Sequence, residues 1–146
     1  MSDHRLAAIE DIRVLKALYA ERVDANHRAP SHTTAVEATA LFTDDAVLDL
    51  GPFGRYVGHA QILNAFENIF PAATAWSAHH ILNPIITLTG ASTAIGRWYF
   101  LLATQPKTTP ASPAITVYGS YAEKYEKTAE GWKFKEVIGT LTAPAP

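Results

Sequence analysis

Apolar positions near the start of the chain follow the period of an α-helix. Between Ile9 and Asp24, one stripe of the helical wheel is apolar and the charged side chains mostly avoid it. The residues of this stripe are Ala8, Ile12, Leu15, Tyr19 and Val23. The pattern predicts a surface helix over about 4–24, with a phenol in the middle of its buried face and Asp24 in its last turn.

Two shorter helices are predicted further along the first half of the chain. The first covers about 34–42, after a loop that contains Pro30, and the second covers about 59–70 and ends at Pro71. Between them, residues 46–50 alternate in the manner of a strand. The turn at 51–54 then leads into a return strand at 55–57.

The second half of the chain has the pattern of consecutive β-strands. Four long strands are predicted over 77–88, 93–104, 115–127 and 132–141, and a frayed tail from Thr142 onward. Because helices come first and strands follow, the expected fold class is α+β, with three helices from the N-terminal half packed on one face of a curved antiparallel sheet. Residues 1–146 are expected to form a single domain.

Long strands that are apolar on both faces need cover on both faces. A sheet that curls around its own helices leaves an apolar pocket inside, whereas the outer face of a strand such as 93–104 needs another partner. The sequence therefore predicts a small apolar ligand inside the sheet and a homodimer formed through its outer face.

Composition narrows the range of partners. Of the 146 residues, 48% are hydrophobic and 18% are charged, which excludes a disordered chain. The formal net charge is -2 without a basic cluster, so neither nucleic acid nor an anionic membrane is an expected partner. No apolar run approaches the length of a membrane span, and we expect a cytoplasmic protein. Cysteine is absent, which removes disulfides, thiolate nucleophiles and most structural zinc sites.

Imidazole, phenol and carboxylate groups remain available for chemistry. Asp24 follows Tyr19 by five residues and points about 140° away from it on a regular helix, so it reaches the same pocket only if the helix ends or unwinds there. His79 and His80 are neighbours on a predicted strand and must face opposite sides. No second ligand lies at a convincing spacing for a metal ion, and we expect neither a metal nor a cofactor.

Other side chains allow both a structural and a functional interpretation. The aromatic residues expected in the pocket or the core, and offered as substrate-binding residues, are Tyr56, Trp98, Phe100 and Tyr121. Arg97 lies in an apolar strand and needs an anionic partner, for which Glu123 on the next strand is the candidate. The histidines expected on the surface are His4, His27, His32 and His59.

Five segments occur in an order and at spacings that resemble a known protein family. They are LKALYAERVD, LFTDDAVLDLGPFGRYVGHAQI, WSAHHILNPII, GRWYFLL and GSYAEKYEKTAEGWKFKEV, and they cover about 9–139. The sequence resembles the SnoaL-like branch of the nuclear transport factor 2-like superfamily, which includes scytalone dehydratase, bile acid 7α-dehydratase, ketosteroid isomerase and polyketide cyclases. The resemblance implies a cone-shaped curved sheet that encloses a deep apolar cavity with three helices. The fold alone does not choose among these activities.

The dehydratases of this family offer the nearest pattern. Carried over, it implies a catalytic triad of Tyr19, Asp24 and His79, with Asn83 completing an H-x-x-x-N segment that favours His79 over His80. An Asp–His pair is a base poised near neutral pH, and a buried phenol donates a hydrogen bond to a carbonyl oxygen that becomes enolate-like. The expected function is a cofactor-independent lyase or isomerase that acts on a cyclic, apolar, ketone-bearing molecule such as a polyketide or a steroid.

Two other classes of function stay open. A non-catalytic binding domain would use the same cavity, because a pocket with tyrosine and histidine also binds without reacting. The small β subunits of ring-hydroxylating dioxygenases share the fold, although the lack of extensions for contact with a catalytic subunit makes that role less expected.

Overall fold

The computed structural model describes residues 2–142, and most of the tail predicted to fray lies outside them. Helix α1 spans Asp3–Arg28 and α2 spans His32–Thr39. A third helical segment consists of α3 (His59–Asn64), a π-helical turn (Ala65–Ile69) and α4 (Phe70–Ala73). The strands are β1 (Phe42–Asp49), β2 (Arg55–Val57), β3 (Thr74–Leu88), β4 (Thr93–Pro106), β5 (Ile115–Thr128) and β6 (Gly131–Leu141), and a 3-10 turn (Gly51–Phe53) precedes β2.

The six strands form one curved sheet in the order β2-β1-β6-β5-β4-β3. Neighbouring strands are antiparallel except β1 and β6, which run parallel, so the sheet is mixed where the sequence predicted a purely antiparallel one. The parallel pair joins segments far apart in the chain, and no local pattern encodes it. The predicted α+β class with three helices is confirmed. Within residues 2–142, no helix is long and apolar enough to cross a membrane.

Helix α1 continues for one more turn than predicted, so its expected end at Asp24 is wrong. Pro30 disfavours the helical conformation only for the residue before it, and Ala29 is accordingly the C-cap. The additional turn is also tied to the next helix, because buried Asn26 donates a hydrogen bond to Thr34 Oγ1 (3.1 Å). Asp24 therefore lies inside a helix and not at a fraying end.

The third helical segment continues past Pro71, where the sequence predicts its end. The turn before the proline is π-helical. In a regular α-helix the proline ring clashes with the carbonyl four residues earlier, and a wider turn relieves that contact. The longer segment brings Phe70 and Ala73 to the inner side of the fold, next to the sheet.

Strand β3 is irregular at Asn83, which has a positive φ of 54°. The register against β4 shifts between Leu82 and Ile85, and Pro84 suits such a β-bulge because it has no N–H to offer the ladder. Asparagine adopts the left-handed conformation more readily than most residues. Asn83, which completes the H-x-x-x-N segment, is exposed.

An ion pair lies in the middle of the apolar core. Lys16 on α1 and Glu123 on β5 are both buried, and Lys16 Nζ contacts Glu123 Oε1. Glu123 Oε2 accepts a hydrogen bond from Tyr125, whose hydroxyl accepts one from Trp98 Nε1 (2.8 Å). Burial lowers the pKa of Lys16, and the charge of Glu123 opposes that shift. The expected pair of Arg97 with Glu123 is wrong, because Arg97 is exposed on the outer face of β4.

The same ammonium group lies against two aromatic rings. Lys16 Nζ is 3.5 Å from the ring centroid of Tyr121 and 4.0 Å from that of Tyr19. These distances are typical of cation–π interactions. The ammonium group of Lys16 therefore packs against both tyrosine rings and also pairs with Glu123.

Replacing one member of this pair should cost more stability than replacing both. We expect Lys16→Met to lower the free energy of unfolding by about 3–5 kcal/mol, because it leaves Glu123 buried without a counter-charge. The double variant Lys16→Met/Glu123→Gln removes both charges at similar volume and should recover most of that loss. Urea unfolding followed by tryptophan fluorescence measures both values. A double variant no more stable than Lys16→Met would contradict this account.

Candidate functional site

A cavity of about 400 Å³ lies between the helices and the inner face of the sheet. Its wall is mostly aliphatic and aromatic, with side chains from α1, the third helical segment and strands β3 to β6. The polar groups of this wall include Tyr19, His27, Ser77, His79 and Tyr121. A cavity of this size and character is typical of a site for a small molecule.

Asp24 joins α1 to β3 through three hydrogen bonds. Its Oδ1 accepts one from His79 Nδ1 (2.6 Å) and one from Ser77 Oγ (2.6 Å), and its Oδ2 accepts one from the backbone N–H of His79 (3.0 Å). On a regular helix Asp24 lies about 60° beyond His27, at the edge of the buried face, and it reaches these donors because β3 packs along the flank of α1. Across the described residues, Asp24 is not itself in the cavity wall, as the helical wheel predicted for a regular helix; it contacts the wall residues His79 and Ser77.

The contact with Asp24 determines which nitrogen of the His79 ring is protonated. A carboxylate only accepts hydrogen bonds, so Nδ1 carries the proton of the neutral imidazole and Nε2 carries a lone pair. The side chain is 6% exposed and belongs to the cavity wall. His79 Nε2 is thus a base whose orientation Asp24 sets. His80 is exposed on the other face of β3.

The surroundings keep Asp24 ionised. Burial alone would raise the pKa of Asp24, but the hydrogen bonds and charge of His79, together with the hydrogen bond from Ser77, hold it below its usual range. A carboxylate therefore faces the imidazole at neutral pH.

Ser77 extends this group of hydrogen bonds to a second imidazole. His27 Nδ1 lies 2.6 Å from Ser77 Oγ. His27 is buried and belongs to the cavity wall, so the expectation that it lies on the surface is wrong. The extra turn of α1 carries it inward. Of the other histidines expected on the surface, His4 and His32 are exposed and His59 is half-buried.

Two phenols lie beside the Asp24–His79 pair. The ring centroid of Tyr19 is 6.0 Å from that of His79 and 6.0 Å from that of Tyr121, and both tyrosines line the cavity. Burial raises the pKa of both phenols well above the usual range, and the charges of Glu123 and Asp24 act in the same direction. Both hydroxyl groups are therefore neutral and able to donate a hydrogen bond.

Two of the four aromatic residues expected in the pocket or the core lie in the cavity wall. They are Phe100 and Tyr121, whose ring centroids are 4.7 Å apart. Trp98 is buried in the core next to the ion pair. Tyr56 packs edge-on against Phe70, at 5.3 Å between centroids. Across the part of the chain that the structure describes, Trp98 and Tyr56 are not among the wall residues.

Sequence reasoning missed three polar residues of this region. Ser77 shares a strand face with His79, which the two-residue alternation of β3 could have revealed. Lys16 falls within the buried stripe of α1, and a lysine at such a position was the available signal. The burial of His27 could be predicted only if α1 were known to continue to Arg28. For residues 2–142, no group of three or more His, Asp or Glu side chains is arranged to hold a metal ion.

The sequence matches the model of the SnoaL-like domain over residues 4–138. The chain belongs to the SnoaL-like domain family. No protein of curated function matches this SnoaL-like domain in sequence. Its fold is that of the nuclear transport factor 2-like superfamily.

Solved structures share this fold over nearly the whole SnoaL-like domain. A candidate scytalone dehydratase from Novosphingobium aromaticivorans is 22% identical with a TM-score of 0.84, over 98% of this chain and 89% of that one. Hexachlorocyclohexane dehydrochlorinase LinA type 3 from Novosphingobium barchaimii is 21% identical with a TM-score of 0.82, over 97% of this chain and 92% of that one. A candidate aromatic ring hydroxylase from Novosphingobium aromaticivorans is 30% identical with a TM-score of 0.80, over 95% and 92%. At 21–22% identity, the first two show the fold alone.

The SnoaL-like domain should lose stability as the pH falls from about 6.5 to 4. Burial and the charge of His79 lower the pKa of His27 to about 4, against the opposing effect of Asp24. The unfolded chain takes up a proton at His27 near pH 6.5, whereas the folded protein does so only near pH 4, so protonation favours unfolding across this window. We expect this residue to account for a loss of up to about 3 kcal/mol.

The variant His27→Asn isolates this contribution. It removes the titrating group and should reduce the loss of stability between pH 7 and about pH 4.5, measured by urea unfolding at each pH. His80→Gln, which replaces the exposed histidine on the outer face of β3, is the matched control. An unchanged pH dependence in His27→Asn would contradict the assignment.

Proposed function

We propose that this SnoaL-like domain is a cofactor-independent lyase or isomerase that removes a proton next to a carbonyl group in a cyclic apolar molecule, polyketide-like or steroid-like. The observation that carries the proposal is the Asp24–His79 hydrogen bond of 2.6 Å at the wall of an apolar cavity. A carboxylate that holds an imidazole with its second nitrogen unprotonated is the arrangement of a general base. Neutral phenols beside it supply donors for a carbonyl oxygen.

Each side chain has a distinct role in this proposal. His79 Nε2 is the catalytic base. Asp24 is a positioning residue, which orients the imidazole and stabilises its charged form. Tyr19 donates a hydrogen bond to the carbonyl oxygen, and Tyr121 assists it. Phe100 and the other apolar wall side chains bind the ring of the substrate.

The bond changes balance without any cofactor. His79 Nε2 takes a proton from the carbon next to the carbonyl group, and the electron pair of the broken C–H bond moves to the oxygen as an enolate. In a lyase reaction, these electrons form a C=C bond as a β-hydroxyl group leaves, and it departs as water with the proton from His79. In an isomerase reaction, His79 returns the proton to another carbon and the double bond moves.

The names of two fold neighbours fit an elimination reaction, but a shared fold does not establish that reaction for this chain. One is a candidate dehydratase and another a dehydrochlorinase, and both names describe removal of a small molecule from a substrate. Since a shared fold does not imply a shared function, the proposal rests on the geometry of the site.

A non-catalytic binding domain is the second candidate. The same cavity, with its tyrosine hydroxyl groups and His79 Nε2, would hold a ligand without reaction. A role as the small subunit of a ring-hydroxylating assembly is the third, and the 30% identity to a candidate aromatic ring hydroxylase keeps it in view. Native mass spectrometry of the purified protein separates the three candidates. A binding domain should carry a co-purified ligand, a small subunit should carry its partner subunit, and an enzyme should carry neither.

Proton exchange tests the catalytic proposal without knowledge of the natural substrate. In D₂O, the protein should accelerate exchange of the protons next to the carbonyl of at least one cyclic ketone among cyclohexanone, indanone and a steroidal ketone, as followed by NMR. We expect Asp24→Asn and His79→Gln to lower that rate by roughly 10²–10⁴-fold, the usual contribution of a general base. Affinity for the ketone should change little in Asp24→Asn, because Asp24 acts through His79.

The stability of Asp24→Asn has to be measured beside its rate. Asp24 on α1 accepts three hydrogen bonds from Ser77 and His79 on β3, so we expect Asp24→Asn to lose about 1–3 kcal/mol in the free energy of unfolding. The assay is therefore run at a temperature well below the midpoint of thermal unfolding of the variant. His80→Gln is the control and should exchange like the wild type. Equal rates in the wild type, Asp24→Asn and His79→Gln would refute the proposal.

The proposed partner on the outer face is a second copy of the chain. Large apolar side chains between 37% and 58% exposed are spread over β3 to β6: Leu82, Ile85, Ile95, Tyr99, Tyr118 and Ile138. Leu82 lies opposite Tyr99 in the register of β3 and β4, and Ala122 lies opposite Ile138 in that of β5 and β6. An outer face with this many exposed apolar side chains, interrupted by Arg97, favours an interface. A cytoplasmic location stays a prediction.

Light scattering at micromolar concentration tests the interface. We expect a dimer for the wild type and a monomer for Tyr99→Glu, because a carboxylate would be buried at the centre of the contact. Leu6→Glu, at a residue 52% exposed on α1, is the control and should remain dimeric. A wild-type monomer with an intact fold would contradict the proposal.

A further inference from the structure

The ion pair of Lys16 and Glu123 lies at one end of the cavity, beneath its two phenols. On α1, Tyr19 is the first wall residue along the chain, and Lys16 precedes it by three positions, which is almost one helical turn. On β5, Tyr121 is the last wall residue, and Glu123 follows it on the same face of the strand. Both charged side chains are fully buried, so neither reaches a bound molecule directly.

The pair is an oriented dipole whose positive end is on the side of the cavity. Lys16 Nζ lies 3.5 Å from the ring centroid of Tyr121 and 4.0 Å from that of Tyr19. The carboxylate of Glu123 contacts Lys16 and accepts a hydrogen bond from Tyr125, which lies further from the cavity along β5. The ammonium group therefore contacts the phenols of the wall, whereas the carboxylate contacts the core behind them.

The hydrogen bonds around Glu123 favour its ionised form. Trp98 Nε1 can only donate, so the Tyr125 hydroxyl accepts from it (2.8 Å) and gives its own proton to Glu123 Oε2. The other oxygen, Oε1, contacts Lys16 Nζ. Both oxygens of Glu123 thus face donors, which is the environment of a carboxylate and not of a carboxylic acid. Lys16 is accordingly its ammonium partner.

The negative charge that develops in the proposed reaction appears beside the same two rings. As His79 takes a proton, the carbonyl oxygen becomes an enolate oxygen, to which Tyr19 and Tyr121 are the proposed donors. A phenol that donates to an anion gains electron density in its ring, and a cation against the face of the ring stabilises that density. The charge of Glu123 acts in the opposite direction and raises the pKa of both phenols, but Lys16 is the member of the pair that touches the rings.

We propose that Lys16 is a positioning residue that strengthens Tyr19 and Tyr121 as hydrogen-bond donors to the enolate oxygen. The inference rests on the proposed function, since it takes both phenols as donors to the substrate. Lys16 neither touches the substrate nor exchanges a proton with it. Its effect belongs to the transition state, in which the oxygen is negative, and not to the bound ketone, in which the oxygen is neutral.

A neutral probe and an anionic probe separate these two states. Indanone represents the bound ketone, and 4-nitrophenolate, whose oxygen carries a charge like that of an enolate, represents the state after proton removal. Both are titrated against the wild type and Lys16→Met/Glu123→Gln, the phenolate by its visible absorption. The matched control is Lys124→Met/Glu136→Gln, which removes a solvent-accessible ion pair (3.4 Å) between β5 and β6.

The variant Lys16→Met/Glu123→Gln should bind 4-nitrophenolate roughly 5–30-fold more weakly than the wild type, the value of a desolvated cation–π contact, and indanone with similar affinity. Its rate of proton exchange on saturating indanone should fall by a similar factor, at an unchanged half-saturating concentration. The control variant should behave like the wild type. Equal affinity for phenolate in the wild type and Lys16→Met/Glu123→Gln, including no binding by either, would overturn the proposal. An equal loss of affinity for both probes would also overturn it, because that result indicates only a distorted cavity.

Removal of the two hydroxyl groups tests whether Lys16 acts through them. In Tyr19→Phe/Tyr121→Phe, both rings can still pack against the ammonium group, but neither can donate a hydrogen bond. Adding Lys16→Met/Glu123→Gln to this background should have little further effect on the affinity for 4-nitrophenolate. A loss as large as in the wild-type background would mean that the ammonium group acts on the anion directly, and would contradict the assignment to the phenols.

Nitrogen NMR of labelled lysine tests the charge of Lys16 in the wild type, where no substitution disturbs the fold. The method distinguishes an ammonium group from an amine. Lys16 should be an ammonium group at pH 7, and its resonance should shift when 4-nitrophenolate binds but not when indanone binds. An amine at this position would overturn the proposal whatever the variants show.

Failure of this inference is distinguishable from failure of the proposed function. Catalysed proton exchange on indanone tests the reaction, and binding of 4-nitrophenolate tests Lys16. Exchange that is equally fast in the wild type and Lys16→Met/Glu123→Gln, with equal affinity for phenolate, refutes only the role of Lys16. A loss of phenolate affinity in Lys16→Met/Glu123→Gln, without exchange catalysed by the wild type, refutes only the reaction.

Discussion

The position of the cavity residues depends on how two buried charges are neutralised beneath them. Lys16 and Glu123 pair inside the core, and the ammonium group lies against the faces of Tyr19 and Tyr121, the two phenols of the cavity wall. Either charge alone would be strongly unfavourable in an apolar interior. The pair fixes α1 to β5, and Asp24 fixes the same helix to β3. With both contacts made, Tyr19 and His79 face one cavity.

Most of the fold could be predicted because its signals are local. The apolar stripe of α1, the alternation along the long strands and the turns between them are each encoded within a few neighbouring residues. The features that were missed depend on distant segments. They include the parallel contact of β1 with β6, the bulge at Asn83 and the extension of α1 beyond Asp24, which Asn26 ties to α2.

The candidate site was predictable to a smaller degree. The order of Tyr19, Asp24 and His79 pointed to one cavity, and the three side chains do lie together. The helical geometry kept Asp24 out of the cavity wall, but a wheel describes a helix by itself and could not show that the sheet brings His79 and Ser77 to the carboxylate. Ser77 and His27 follow only from that packing, and so does the burial of Lys16. The sequence carries these residues, but their partners are more than 45 positions away.

Asp24 accepts hydrogen bonds from a backbone N–H and from two side chains of β3, so its contacts depend on the register of that strand. If β3 slipped by one residue so that Trp76 and Ala78 replaced Ser77 and His79 opposite the carboxylate, the serine hydroxyl and the imidazole would both be lost as donors, and the backbone N–H would remain. The proposed catalytic pair is thus also part of what selects the native alignment over its nearest competitor. A descendant of this chain without the proposed reaction would still be under selection to keep Asp24 and His79. Persistence of the pair through evolution would then record the demands of folding as much as those of chemistry.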